Sequence, residues 1–510
     1  MPAFCRQPAA SASKAIYQEA LSDLQQAQPD AAIRILAPLI QSNPNDYNAL
    51  TLMGMALAAG GKTQEAIGHF EKALAVRPAY PAALNGLAMS EMRLNRYQAA
   101  KVHFEALLRV VPQNPGAHAG LAEIAFTQGR FADAIRQFEE SDPVYRQNPR
   151  LVIEYARANI QLKRTEKATT ALANIPETSD AASHFETGSL LASVKAYEAA
   201  ARQFELALPD YSDKYAAAFN LILARVNAHQ YPQAITQGEA LVAAGCRKAE
   251  LYNLMSEAYE ASGNTRQAYD SLRTATQLEP LEESNYLDLI TLCLNHKNYD
   301  LAAEIAGIGL KKLPQSERLH LQLGVVRAMQ TRFDQAGEEF QQAAKLAPER
   351  SLPHVALALV AIQTNRANEA VDDLRRRVRK FPDDYLGLWF LAEALNRSGA
   401  APGSAEEREA IDALRRSVRI DPNISQSQEL LGKLLAREGQ FTEAAEHLER
   451  AVKLQPDNVA ALYQLAQVCS KNGQTARAKQ LFAQVGKMKT DDRENFASHG
   501  LQQILRAGHE

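Results

Sequence analysis

The stretch QEAIGHFEKALAVRP, residues 64–78, reads as an amphipathic helix that carries Ala66 and Phe70 on one face and is stopped by Pro78. Variants of it recur along the chain, and the prolines fix their phase. Pro44, Pro78 and Pro112 stand 34 residues apart, as do Pro280, Pro314, Pro348 and Pro382, and then Pro422 and Pro456. An alanine lies twelve residues before each of these prolines. Extending that register places Ala32, Ala66, Ala100, Ala134, Ala168, Ala200, Ala234, Ala268, Ala302, Ala336, Ala370, Ala410, Ala444 and Ala478 in fourteen units, those around Ala168, Ala200 and Ala234 phased partly on the alanine itself. A period of this length is the mark of stacked helix pairs.

Each unit reads as a first helix, a turn that often carries glycine (Gly61, Gly129, Gly263, Gly439, Gly473), and a second helix holding the alanine. Twelve positions before the alanine is another small residue, such as Gly54, Ala88, Ala122, Gly188, Gly324 or Gly432, where two helices cross closely and a bulky side chain would wedge them apart. Four positions after it stands a large plug: Phe70, Phe104, Phe138, Phe204, Phe340 or Phe482. The proline then prevents the second helix from running into the next unit. Two helices alone bury too little apolar surface to hold together, so each pair must pack on its neighbours, which is why so many copies occur in one chain.

This order of small residue, alanine, aromatic, alanine and proline resembles the tetratricopeptide repeat over almost the whole chain. The large aromatic usual in that family four positions before the small residue is replaced here, as at Leu50, Leu84 and Leu388. The resemblance implies an all-α, right-handed superhelical solenoid of antiparallel helix pairs. Three irregularities break the period: an excess of three residues around 141–147, a contraction between Ala168 and Ala200, and an insertion at 400–405, AAPGSA, expected to be a flexible turn. The expected organisation is an unstructured tail or leader remnant over 1–12, a continuous repeat array over 13–490, and a closing helix and tail over 491–510. Phe496, Leu501, Ile504 and Leu505 form the apolar stripe of that closing helix.

Composition narrows the function classes. With 46% hydrophobic and 23% charged residues the chain can build a core, and 56 Lys and Arg against 59 Asp and Glu leave a net charge of -3, which creates no field for nucleic acid or an anionic membrane. No apolar run approaches the roughly 18 residues of a membrane span, the best being 355–362. Ala10-Ser11-Ala12 is similar to the cleavage end of a secretory leader whose basic and apolar parts are missing, so the compartment is cytoplasmic as the sequence stands, or exported and periplasmic if such a segment precedes it.

The chemistry-bearing patterns point away from catalysis. Cys5, Cys246, Cys293 and Cys469 form no CxxC pair. The histidines are scattered, with no HExxH and no spacing for a shared metal, and no GxSxG occurs. Ala56 to Thr63, ALAAGGKT, fits a relaxed phosphate-loop pattern, but it occupies a helix end and an inter-helix turn, without the preceding strand that such a loop requires. The run RRRVRK, residues 375–380, is expected on a solvated helix face: Leu374 and Val378 make the buried stripe, and Asp372 and Asp373 stand four residues before Arg376 and Arg377. No cofactor, no metal and no catalytic residue is expected.

The resemblance implies that the first helix of each pair lines a concave surface through its second, fifth, ninth and twelfth positions, where partners dock. Those positions hold Thr51, Met55, Asn85, Met89 and Met92, then Phe185, Phe219 and Leu223, then Glu250, Asn253, Glu257 and Glu260. Later come Val325, Leu352, Val355, Leu359 and Ile362, then Trp389, Glu393, Lys433, Arg437, Tyr463 and Lys471. Of these, Met55, Asn85, Met89, Phe185, Phe219, Leu223, Asn253, Glu257, Val355, Leu359, Trp389, Glu393, Lys433 and Tyr463 are the candidate partner-binding residues. The Lys and Asn constellation with which some family members hold the C-terminal carboxylate of heat-shock chaperones is not visible in the first repeats. Apolar side chains in such a surface suit capture of an extended segment or an amphipathic helix. The expected function is therefore a non-catalytic scaffold for protein or peptide partners. Alternatives are an exported assembly component of an envelope polysaccharide or secretion system, and a substrate-recruiting regulatory subunit of a separate enzyme.

Overall fold

The computed structural model describes residues 8–487, and side chains from residue 13. The described residues form 29 helices and no strand. By their contacts they divide between Cys246 and Arg247 into two compact units. The first helix, Pro8–Gln25, begins inside the segment read as a tail. The closing stripe of Phe496, Leu501, Ile504 and Leu505 lies outside the described residues.

Helices alternate as expected, and every phase-setting alanine sits on the second helix of its pair. All fourteen are buried, eleven of them completely. First helices tend to start at a capping side chain: Asp46, Asn114, Asp213, Ser316, Asp384 and Asn458 each accept a hydrogen bond from a backbone N–H of the first turn. The turn within a pair requires one residue with positive φ. Glycine supplies it at Gly61 and Gly129, whereas Asn95, Lys163, Lys297 and Thr331 adopt it elsewhere. The phosphate-loop look-alike is one of these turns, with Gly61 at φ 81° between helices Tyr47–Ala59 and Thr63–Val76.

The close approach at the small residues is real, but it is mostly an aromatic ring, not the facing backbone, that fills the space. A Cβ on Gly54 would stand 2.6 Å from the Phe70 ring, and one on Gly324 2.4 Å from Phe340. At Gly432 a Cβ would also come within 2.9 Å of the Ala444 carbonyl. Two of the plugs reach further still. Phe70 also meets Gly86 of the next first helix, and Phe104 meets Gly120, both at 2.4 Å from where a Cβ would be. The plug thus pins two successive first helices, and this second glycine was not singled out in the sequence. Phe482 departs from the pattern: it lies on Thr475–Lys487, the last described helix, and is 39% exposed beside Tyr463, because no further described pair packs over it.

In three units the position left without its aromatic, four residues before the small one, carries a polar bridge instead of a leucine. His118 donates from Nε2 to the Pro112 carbonyl at 3.0 Å, while Nδ1 lies 2.7 Å from the Gln137 carboxamide. His184 repeats this with the Glu177 carbonyl and Gln203, and Gln428 donates to the Pro422 carbonyl and pairs with His447. One side chain therefore ties the end of the preceding unit to the second helix of its own. These histidines, read as scattered, occupy a repeating structural position.

The irregularities also have physical roles. The excess expected at 141–147 is absent, since the first helices starting at Pro81, Pro115 and Pro149 keep the 34-residue period; instead the second helix Phe131–Glu140 stops early and the short helix Val144–Gln147 follows it, burying Tyr145 against Phe138 and Tyr155 at centroid distances of 6.1 and 5.1 Å. The insertion at 400–405 is pinned rather than flexible. Buried Glu407 accepts from the Gly403 N–H at 2.6 Å and lies 3.0 Å from Arg437 Nε, while Arg437 Nη2 donates to the Ala400 carbonyl at 2.9 Å.

The basic run corrects a further expectation. Leu374 and Val378 are buried as read, but Arg375 and Arg376 pair with Asp372 and Asp373 three residues back. Arg375 also holds Glu409 with two guanidinium nitrogens, at 2.9 and 2.6 Å. Arg377 is not on a solvated face. It is buried, ion-paired with Asp384, and donates to the carbonyls of Pro348 and Glu349 at 3.1 and 2.9 Å.

Candidate functional site

The residues read as one banded surface divide into exposed and core positions. In the unit ending at Cys246, Met89 is 44% and Leu223 38% exposed, and Met55, Asn85, Phe185 and Phe219 are half-buried. Met89 and Leu223 each follow the small-residue position of their first helices by one residue, so they share a register. Phe185 is committed to packing: it stacks on Tyr211 at 4.2 Å and meets Phe204 edge-on at 5.4 Å. Phe219 leans on Tyr215 at 5.7 Å.

In the unit beginning at Arg247 the expected apolar band is core. Val355, Leu359 and Trp389 are at most 4% exposed, and Val325 and Leu352 are likewise buried, as is Thr51 in the other unit. The cause is direct packing of first helix Ser351–Gln363 on first helix Tyr385–Arg397, which fills the face that would have lined a groove. Glu393 is buried too, holding Arg397 Nε at 2.7 Å. Asn253 bridges to Asn285 at 2.7 Å, and Glu257 is exposed. Lys433, Arg437 and Lys471 are exposed, and Tyr463 is 46% exposed.

Between the apolar positions of the first unit lies a charged ladder that the sequence did not disclose. Arg150 links Glu123 at 2.5 Å with Glu154 at 3.3 Å, and Arg157 pairs with Glu186. Burial raises the Glu154 carboxyl to about 7 against the pull of Arg150, with Glu123 adding to the rise, and its Oε2 is buried without a hydrogen-bond partner. A carboxyl whose folded pKa lies above its unfolded value binds more protons in the native state, so it lowers stability as pH rises from about 4.5 to about 7. Glu154→Gln should therefore flatten that slope. It should gain about 1 kcal/mol at pH 8 relative to pH 5 when wild type and variant melts are compared, the carboxyl being partly screened by solvent. An unchanged slope would show that Glu154 titrates normally.

Among the described residues no group of three or more His, Cys, Asp or Glu could hold a metal ion, and no helix is long and apolar enough to cross a membrane. Burial raises the Cys293 thiol to about 11, opposite to the activation a nucleophile needs.

Models of the tetratricopeptide repeat match residues 17–84, 85–149, 249–280, 355–423 and 435–498. No curated protein matches. Among solved structures, yeast Tom70 is similar over 91% of this chain and 95% of its own, at 17% identity and a TM-score of 0.40. The structure of Naa15/Naa10 bound to HypK-THB matches over 97% and 96%, at 11% identity and 0.33. The APC/C hetero-tetramer Cut9-Hcn1 matches over 88% and 95%, at 12% identity and 0.35.

Proposed function

The chain belongs to the tetratricopeptide repeat family, and from that premise we propose that it is a non-catalytic scaffold holding partner proteins by extended or helical segments. The observation that carries this reading is the pair of exposed apolar side chains, Met89 and Leu223, at equivalent positions of two first helices in one unit, with half-buried Met55 at the same position of a third. An unbranched thioether adapts to varied apolar partners, and apolar residues at repeated positions suit the hydrophobic face of a helix or strand. Export-side assembly and substrate recruitment for a separate enzyme are narrower forms of the same binding role, and the identity of a captured partner chooses between them.

Affinity capture from native lysate tests the reading with Met89→Asp plus Leu223→Asp against Val102→Asp, an exposed apolar residue on a second helix. Surface changes of this kind alter stability by about 0.5 kcal/mol, so all variants remain folded. The expected result is loss of a specific partner from the double variant alone. Equal capture by all would overturn the assignment of this face.

A further inference from the structure

We propose that the cavity between helices Ser425–Arg437 and Val459–Lys471 binds an extended acidic segment of a partner protein; this rests on the scaffold reading and names the chemistry of one of its sites. The cavity is about 370 Å³, within the roughly 300–1,000 Å³ of ligand pockets. Its polar lining is Lys433, Arg437, Tyr463, Gln464, Gln467 and Lys471, three cations with no carboxylate among them. Leu448 and Val468 give it an apolar floor.

The neighbouring acids are engaged elsewhere. Glu407 faces Arg437 from behind, at 3.0 Å from Nε. Glu429, one turn before Lys433, accepts from Asn458 Nδ2 at 2.7 Å and is not part of the lining. Lys433 and Lys471 are exposed; Glu429 attracts Lys433 through space and Lys471 lies over the Phe441 ring at 5.8 Å, but with no acid in the lining the cavity keeps a net positive charge.

A second observation selects a polypeptide over a bare anion. Gln464 Oε1 is buried with no hydrogen-bond partner, and a buried acceptor is costly until a donor reaches it. Turning of the Gln464 carboxamide toward the cavity lets its oxygen accept from the backbone N–H of an extended segment while Asp or Glu side chains of that segment meet the lysines, whereas an inorganic anion offers mainly acceptors. The exposed Tyr463 ring at the rim adds flat contact area at low entropic cost.

The test is fluorescence anisotropy on the full chain with a short fluorescein-labelled peptide of alternating Glu and Ala, amidated at its C-terminus so that only side-chain carboxylates contribute. Binding should weaken with added salt and fall about tenfold or more in Lys433→Gln plus Lys471→Gln. It should be unchanged in Lys453→Gln plus Lys479→Gln, which removes equal charge from exposed positions outside the cavity. Equal loss in both variants, equal binding of the Gln and Ala counterpart, or displacement by inorganic phosphate as effective as by unlabelled peptide would each overturn the proposal. The cavity variant is also carried through the lysate capture. If partners are retained while the acidic peptide fails to bind even wild type, this site falls and the scaffold reading stands; if wild type captures nothing, the scaffold reading itself falls.

Discussion

Asp384→Ala should destabilise the unit beginning at Arg247 by about 3–5 kcal/mol, among the largest effects of any single substitution here. The reason is the charge it would strand. Arg377 and Asp384 are both more than nine-tenths buried, and the remaining guanidinium donors end on backbone carbonyls, which cannot neutralise a cation. Asp384 also caps helix Tyr385–Arg397 by accepting from the Gly387 N–H at 2.9 Å, and it receives the Ser351 hydroxyl at 2.6 Å. Asp384→Asn, which keeps a cap oxygen but not the charge, should fall between wild type and alanine. Arg377→Met should cost less than Asp384→Ala, because the Asp384 carboxylate it leaves keeps two hydrogen-bond donors, the Gly387 N–H and the Ser351 hydroxyl, whereas a stranded guanidinium keeps only neutral carbonyls. Denaturant titration with hydrogen exchange measures both. A loss no greater than that of an ordinary cap such as Ser404→Ala, about 1 kcal/mol, would show that the buried pair contributes nothing beyond the cap.

Gly86→Val should cost about 3 kcal/mol in the other unit. A Cβ there would sit 2.4 Å from the Phe70 ring, which is itself held on its other side by Gly54, so the ring has nowhere to retreat. The improved helix propensity of a non-glycine residue, worth up to about 1 kcal/mol, is too small to offset this. Phe70→Leu alone should also destabilise, yet the double variant should cost less than the sum, since the smaller plug vacates the space that valine needs. Additive losses in that double-mutant cycle would mean that ring and glycine do not share one space.

These two sites mark where the sequence could be read and where it could not. The alanine register placed all fourteen second helices because one small residue every period leaves a signal independent of neighbours. Gly54 was legible for the same reason. Gly86 was not, because its role depends on a plug from the preceding unit, and no rule within one repeat announces a contact between repeats. The run from Arg375 to Lys380 misled for a related cause: helix periodicity puts Arg377 beside solvent-facing neighbours, but Asp384 lies beyond the turn and pulls it inward.

The surface was the least legible part. Position within a first helix identified Met89, Leu223, Lys433 and Tyr463 as exposed, but equally nominated Val355, Leu359 and Trp389, which adjacent first helices cover. How closely two first helices approach is set by side chains on both, which a single-helix pattern does not contain. The proline-carbonyl bridge of His118 and His184 could have been found: each histidine stands nineteen residues before a glutamine, and Gln428 stands nineteen before His447.

Several of the bonds that join one pair to the next within a unit share nearly the same separation. Tyr80 donates to Asn48, Ser351 to Asp384 and Arg350 to Glu317, at separations of 32 or 33 residues. Because these three bonds each span nearly one period, cutting out a whole period from the interior of a unit would bring each surviving donor to a residue at the position its lost partner held. Removing half a period would leave donors facing the wrong helix. A gene encoding this chain can therefore change length in steps of one repeat with its joints intact, as a zip can lose a tooth pair and still close.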